Sequence, residues 1–510
     1  MRRLIFILFC LPIVFSCSQE EAEQPVQPNI IYILADDLGY GEVGYQGQEK
    51  IQTPNMDALA ASGMVFTNHY SGAPVCAPAR CSLLTGKHGG NAFIRGNDEW
   101  VDRGDVWDYA KVSEDPYLEG QRPLPDNTLT LGKLLQDAGY KTGIVGKWGL
   151  GGPMTESIPT KLGFDYFYGF NCQRQAHNLY PPHLWENETK VDLDNPIVIP
   201  NTKLDEGADP NDPESYAKYN QKDFAPTLMH DKALSFIEEN QKEPFFLYYA
   251  SPLPHVPLQA PQNDVDKYRE TFGAEDPYLG NQGYFPNRYP HATYAAMITL
   301  LDQQIGEVMA KVKELGLEEN TIIIVTSDNG PTYTGGVDFD YFESSKPFTN
   351  GYGRTKGFVY EGGIRVPMTV NWPGKIKAGS TTDRISAFYD VMPTLCELVG
   401  VNAPEDSDGT SFLPTLLGEA QEEPEYLFWE FAGYDGQQAV RMGKWKGIRL
   451  NIKKDEALTI QLFDLSTDPL EQYNVADQHP EIIQQMEEIM KKEHSTPALE
   501  SFRMAFLEEK

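Results

Sequence analysis

Short runs of consecutive apolar residues recur along the chain, separated by segments of helical period. Ile30 to Leu34, Gly143 to Val145, Phe245 to Tyr249, Ile322 to Val325 and Arg365 to Val370 are the strand-like runs. They are continuous rather than alternating, as strands covered on both faces require. Between them, periodic patterns predict helices over Met56–Ser62, Leu129–Ala138, Thr227–Asn240, Thr293–Leu315, Tyr389–Val399 and Pro480–Lys492. Strands alternating with helices predict an α/β fold: a sheet sandwiched by helices. Ligands of such sheets bind beyond the carboxyl ends of the strands. Four of the runs deliver polar groups there: Asp36-Asp37, Lys147, His255, and Ser327-Asp328-Asn329-Gly330.

The pattern changes twice. From about Glu188 to Lys222 the chain is rich in Asp, Asn, Pro and Glu, and it reads as a surface excursion. Near residue 420 the helices give way to short runs at Tyr426–Phe431, Gln438–Arg441, Trp445–Leu450 and Gln461–Asp464, followed by the last helix. We expect a larger domain over 29–420 and a smaller antiparallel sheet with a covering helix over 421–510.

The first residues read as a targeting segment. Arg2 and Arg3 precede an apolar stretch, Leu4 to Phe15, that is too short to span a bilayer. Ser16-Cys17 is similar to the cleavage site of bacterial lipoproteins, in which the cysteine carries lipid. Phe15 is bulkier than that pattern prefers, which leaves ordinary secretion as the alternative. The expectation is a signal peptide over 1–16, a charged, proline-punctuated tether over 17–28, and an exported lipoprotein touching the membrane only through its lipid.

Composition adds two constraints. A formal net charge of −32 disfavours a nucleic-acid partner and requires any anionic ligand to meet a local cationic pocket. Once Cys10 and Cys17 are set aside, Cys76, Cys81, Cys172 and Cys396 are too few and scattered for a disulfide framework.

Asp36, Asp37, Asp328 and Asn329 offer hard oxygen donors with no His or Cys among them, a set suited to Ca²⁺ or Mg²⁺ rather than zinc. Acids after strands also cap loops, and that reading competes for Asp36-Asp37 alone. Cys76-Ala77-Pro78-Ala79-Arg80-Cys81-Ser82-Leu83-Leu84-Thr85-Gly86 predicts a short helix, with Pro78 in its first turn and Gly86 as its stop. Cys76 then lies at a helix N-terminus, where free N–H groups favour an anion.

The run Pro74-Val75-Cys76-Ala77-Pro78-Ala79-Arg80 with Leu83-Leu84-Thr85-Gly86 resembles the sulfatase signature of the alkaline-phosphatase superfamily. Gly139-Tyr140-Lys141-Thr142 to Gly146-Lys147-Trp148 resembles its second signature, and Lys356-Gly357 to Val366-Pro367 its lysine-bearing loop. The resemblance runs from about Asn29 to Gly418, with a weaker echo at Leu462 to Pro469. It implies an alkaline-phosphatase-like mixed sheet and a calcium-dependent sulfatase whose nucleophile is formylglycine, made from Cys76 by a maturation enzyme. It also implies Ca²⁺ on Asp36, Asp37, Asp328, Asn329 and the modified Cys76. Arg80 and Lys147 would hold the nucleophile, Lys147 and Lys356 the sulfate, and His255 and Lys356 the leaving oxygen.

One departure stands out. Where the family usually reads Gly-Lys-Trp-His-Leu-Gly, this chain has Gly146-Lys147-Trp148-Gly149-Leu150-Gly151. His69, His88 and His177 are the candidate replacements for the missing imidazole. For substrate, the polar and aromatic stretch from Asn171 to Pro182 makes Arg174 and His177 candidates for sugar recognition. That stretch is similar to galactosamine-6-sulfatase-like members, so the expected partner is a sulfated carbohydrate of galactose or N-acetylgalactosamine type, attacked in an exo manner. Phosphonate or phosphate-diester hydrolysis on the same scaffold is one alternative. A catalytically inactive sulfated-glycan binding protein is the other.

Overall fold

The computed structural model describes residues 27–454 and 458–508. The signal peptide, the lipidated cysteine and nearly all of the tether lie outside the described residues. Among those described, no helix is long and apolar enough to cross a membrane.

The Asn29–Ala35 strand is buried at all seven positions, as its unbroken apolar run requires. It pairs in parallel with Thr321–Ser327 on one side and with Phe245–Ala250 on the other. Lys141–Lys147 and Tyr166–Phe170 extend the parallel set beyond Phe245–Ala250. Past Thr321–Ser327, Met368–Asn371 runs antiparallel and Met64–Phe66 and Ser380–Thr382 close that edge, while His183–Glu186 and Thr189–Asp192 close the other edge of a ten-stranded mixed sheet.

Alternate residues of the central strand serve opposite faces. Ile31 and Ile33 join a core containing Met229, Ala233, Leu301 and Ile305 from helices Ala225–Glu239 and Pro290–Glu314. Ile30, Tyr32 and Leu34 join a second core with Leu83, Leu135 and Leu395 from helices Cys76–Thr85, Leu131–Asp137 and Val391–Val399. The expected helix-covered sheet is therefore present.

Three local expectations need correction. The fifth strand begins at Met368 rather than Arg365, because Glu361–Ile364 forms a helical turn capped by Arg365. The segment after Glu188 is not all excursion: Thr189–Asp192 pairs with His183–Glu186 as a hairpin at the sheet edge. The helix expected from Tyr389 starts at Val391, after a 3-10 turn over Phe388–Asp390.

The last strands form a separate antiparallel sheet in chain order: Leu427–Phe431, Gln437–Met442, Trp445–Leu450 and Ile460–Asp464. Helix Pro480–Glu493 covers one face, burying Met486 and Met490 on Phe428, Val440 and Leu462. Trp429, Ala439, Ile448 and Phe463 on the other face pack against Tyr70, Val75 and Ile364. This contact sets the small sheet beside the N-terminus of the Cys76 helix.

Candidate active site

Every chemical group that the sequence places at a strand end arrives at one edge of the large sheet. Asp36 and Asp37 follow the central strand, and two main-chain bonds fix that corner. The Asp36 N–H donates to Leu253 O at 2.9 Å, and the Asp328 N–H donates to Ala35 O at 3.0 Å. Asp37 has a left-handed backbone, φ 68°, unusual for a non-glycine residue and typical of functional corners. Its N–H donates to Asp328 Oδ1 at 3.1 Å.

Cys76 is the first residue of the Cys76–Thr85 helix and is buried. Its thiol donates to Asp36 Oδ1 at 3.2 Å. Ligand atoms of Asp36, Asp37, Cys76 and His255 all lie within 4.8 Å of one another. Arg80, one turn along the same helix, donates to Lys147 O at 2.6 Å and to Asp328 Oδ2 at 3.0 Å. Lys147 pairs with Asp36, and Lys356 Nζ pairs with Asp37 Oδ2 at 2.6 Å. His255 donates to the carbonyl of Val256 through Nδ1 and presents Nε2 to Asp37 Oδ2 at 3.7 Å. Asn329 donates to Asp37 Oδ1 at 2.7 Å, while its own buried Oδ1 has no hydrogen-bond partner.

The electrostatics follow from packing three carboxylates against three cations out of water. Burial alone would raise Asp36, but Lys147, His255, Arg80 and Lys356 together hold it well below the usual carboxylate range. Asp37 is pushed up by burial, against the opposing pull of Lys356. Asp328 rises to about 7, through burial and then the charge of Asp36. Burial would lower Lys356, yet Asp37 and Cys76 drive it well above its ordinary value, so it stays protonated. His255 is forced down by burial and then by Lys356, which keeps the imidazole neutral.

Burial followed by Asp36 raises the Cys76 thiol well above its normal value. A cysteine nucleophile needs the opposite shift, toward thiolate. Unmodified Cys76 is therefore poorly suited to act for itself.

The donor set fits a hard divalent cation. After burial, the charge of Asp36 helps to raise Asp37 and Asp328, a crowding that such a cation relieves, and the unpartnered Asn329 Oδ1 is a further hard oxygen in the same cluster.

The cluster opens into a cavity of about 510 Å³ whose lining includes His177, His255, Tyr284 and Lys356. His177 stacks on His255, with centroids 5.5 Å apart and planes 9° apart, and burial lowers its pKa well below normal. Arg174 is placed differently. Its guanidinium donates to the carbonyls of Val106 and Trp107 at 2.8 and 2.7 Å and lies over the Trp107 ring, outside the cavity lining.

Of the three histidines offered for the missing imidazole, His177 alone lines this cavity. His69 is buried beside Phe66, Phe388 and Phe412, with Nδ1 on Ser386. His88 is paired with Glu493 in a different pocket. At Gly149 the backbone is left-handed, φ 77°, and the nearest neighbour to a Cβ there is Gln173 Oε1 at 3.4 Å, a buried atom without a partner.

The sequence reading passed over several groups. Asn97 accepts the Ala77 N–H at 3.1 Å and lines the cavity beside Cys76. Tyr434, Lys453 and Phe502 bring the C-terminal region into the same lining. Asn97 and Lys453 carry no motif, and only the fold brings them to the site.

Comparison with known proteins agrees with this architecture. Residues 28–401 match the family model described as Sulfatase. The chain belongs to the sulfatase family. Residues 352–496 of this sulfatase also match a model described as the C-terminal region of N-sulphoglucosamine sulphohydrolase. Human arylsulfatase A is 33% identical, covering 91% of this chain and 87% of its own. An N-acetylgalactosamine-6-O-sulfatase of Bacteroides thetaiotaomicron is 29% identical over 96% of this chain and 98% of its own. A solved structure concerned with metabolism of multiple glycosaminoglycans by that organism superposes with a TM-score of 0.68. It is 28% identical, over 91% of this chain and 99% of that one. The protein is accordingly a sulfuric ester hydrolase.

Proposed function

We propose that this sulfatase releases sulfate from carbohydrate esters, with sulfated galactose or N-acetylgalactosamine as the first class to examine. The observation that carries the reading is the meeting of Cys76, Asp36, Asp37 and His255 within 4.8 Å, with Lys147 paired to Asp36 and Lys356, which lines the cavity, paired to Asp37. The substrate class is supported by the N-acetylgalactosamine-6-O-sulfatase that matches almost end to end.

Formylglycine at position 76, produced by a maturation enzyme, supplies a hydrated aldehyde as the nucleophile. Ca²⁺ held by Asp36, Asp37, Asp328, Asn329 and the modified residue 76 supplies Lewis acidity toward the sulfate oxygens. The remaining work falls to the protein's own side chains. Arg80 fixes Asp328 and the end of the Lys147 strand. The Lys147 and Lys356 ammoniums offer positive charge to the sulfate in a pocket screened from water. Lys356, held protonated, faces the leaving oxygen together with His255. His177, stacked against that imidazole, lies where the sugar enters.

We also assign the chemistry to a domain over 29–420, one cavity wall to the subdomain over 421–510, and lipoprotein export to residues 1–28.

The test pairs sulfate release from a panel of sulfated monosaccharides with mass spectrometry across Cys76 in protein from the native host. Release that disappears in Cys76→Ala, with the thiol replaced by an aldehyde, is the expected result. Turnover confined to aryl sulfates would overturn the carbohydrate reading, and preference for a matched phosphonate ester would overturn the sulfate reading. An unmodified thiol would overturn the proposed nucleophile.

A further inference from the structure

The outer half of the cavity differs in chemistry from its base. One turn of the small domain, Gly433 to Gly436, reaches across to the catalytic lysine. Within it Tyr434 and Asp435 both adopt left-handed backbones, φ 49° and 68°, the kind of local strain that surrounding structure must hold in place. The Tyr434 ring lies against Gly357, the residue after Lys356. A Cβ at Gly357 would come within 2.7 Å of the ring, so the close approach depends on glycine there. The Tyr434 hydroxyl meets that of Tyr333 at 3.1 Å. Tyr352 and Phe358 back the pair through edge and tilted ring contacts at 5.0–5.3 Å. Tyr434 nevertheless keeps 45% of its surface exposed, and both Tyr333 and Tyr434 line the cavity.

Lys453 is held by the same turn. Its N–H donates to Asp435 O at 2.8 Å, and its side chain runs past Gly436. The Asp435 carboxylate is paired instead with Lys454, at 2.8 Å. Lys453 lines the cavity and makes no ion pair among the described residues, although the charge of Asp435 acts on it. In a chain of net charge −32, a lysine that lines the cavity beside the site is a local attractor for anions.

We propose that Tyr333, Tyr434 and Lys453 form a second sugar subsite, which takes the residue adjoining the sulfated one and favours a neighbour bearing an anionic group. The tyrosines offer a ring-sized apolar face with hydroxyls at its edge, as sugar rings require. Lys453 offers charge to a carboxylate or a further sulfate. The inference rests on the carbohydrate reading of the site, and it makes the substrate an oligosaccharide rather than a free sugar.

The test uses 6-sulfated N-acetylgalactosamine, alone and linked in turn to a uronic acid, a sulfated hexose and a neutral hexose. Turnover by the full protein is compared with that of Tyr434→Ala and Lys453→Met. Binding to Cys76→Ala, with and without those changes, is measured by calorimetry. The ratio of kcat/KM for linked over free sugar is expected to fall about tenfold in Tyr434→Ala for every linked sugar. In Lys453→Met it should fall about threefold, and only for the anionic neighbours. The arm that loses most tells carboxylate from sulfate. Equal losses on free and linked sugar, or no loss in either variant, would overturn the subsite. If no sugar is hydrolysed yet Cys76→Ala binds the linked anionic sugar through Tyr434 and Lys453, the subsite stands and the hydrolytic reading falls. Failure to bind any linked sugar overturns the subsite.

Discussion

Two clusters of buried charge lie about the small domain's contact with the large sheet, and they share their electrostatics but not their surroundings. The first surrounds Cys76. The second surrounds Glu361, whose carboxylate receives Lys446 at 2.7 Å, Tyr70 OH at 2.8 Å and Arg365 at 3.0 Å, with Arg441 at 3.7 Å. Lys446 is fully buried and bridges to Glu471 at 3.0 Å. Burial would raise Glu361, but Lys446, Arg365 and Arg441 hold it down at about 2. In the first cluster acids crowd one another until Asp328 rises to about 7, and Asn329 keeps an unpartnered oxygen. The first opens to a cavity lined by His255 and Lys356, whereas no member of the second lines it. Buried charge alone therefore does not mark a functional site. Each cluster holds one acid held down by cations, Asp36 and Glu361, and one raised to about 7, Asp328 and Glu471, so what separates them is the opening beside the first, through which a ligand can reach it.

The largest effect that separates the clusters is on turnover. Lys147→Ala should lower kcat/KM by three or more orders of magnitude, since it removes the charge proposed to face the sulfate. Steady-state kinetics on the best ester from the panel measure this. Near-normal turnover would place Lys147 with the structural cations instead.

Glu361→Gln should do the reverse. Breaking a buried, multiply bonded ion pair costs about 3–5 kcal/mol, so unfolding by denaturant should move to lower concentration while the folded fraction keeps its turnover. Loss of turnover in protein that remains folded would erase the distinction between the clusters. The acid limb follows with a definite sign. Glu361 has a folded pKa below its ordinary 4.5, so its stabilisation is complete above pH 4.5 and fades as pH falls toward 2. The stability gap between wild type and Glu361→Gln should narrow over that window; a gap that widens there refutes the assignment.

Divalent metal offers a third contrast. Chelation should lower the melting temperature and abolish sulfate release, and added Ca²⁺ should restore both. Calcium at 100 times its Kd adds about 2.7 kcal/mol. In Asp328→Asn the calcium-dependent part of the melting shift should shrink, whereas in Glu361→Gln it should persist.

How much of this was legible in the sequence differs between the same two clusters. Asp36, Asp37, Lys147, His255, Asp328 and Asn329 each follow a strand-like run, so elementary α/β geometry puts them on one edge without any family knowledge. Cys76 was readable because its helix has clear start and stop signals. The second cluster left no such trace. Glu361 and Arg365 lie within one motif-like stretch, but their partners Arg441, Lys446 and Glu471 come from strands and loops more than 70 residues away, and only the docking of two sheets unites them. Residue type misled at Arg174, whose guanidinium is tied to the 106–107 carbonyls rather than the cavity. Side-chain reach cannot be read from loop composition.

The smallest effect sits at the rim of the first cluster. Gly149 lies two residues beyond Lys147, where the family's usual histidine is replaced, and its left-handed backbone disfavours any side chain by about 1–2 kcal/mol. Space is not the obstacle, because a Cβ would meet Gln173 Oε1 at an ordinary 3.4 Å. Gly149→Ala should thus lower the melting temperature by a few degrees while altering kcat by less than about threefold. If the substitution instead lowers kcat by a hundredfold with unchanged stability, the glycine holds Lys147 in register, and the strain belongs to the catalytic cluster. If it changes neither, the turn relaxes to accept a side chain, and a histidine at this position becomes compatible with the backbone. Gly149→His would then report directly on whether His177 has taken over the missing imidazole's part: added activity would mean that it has not.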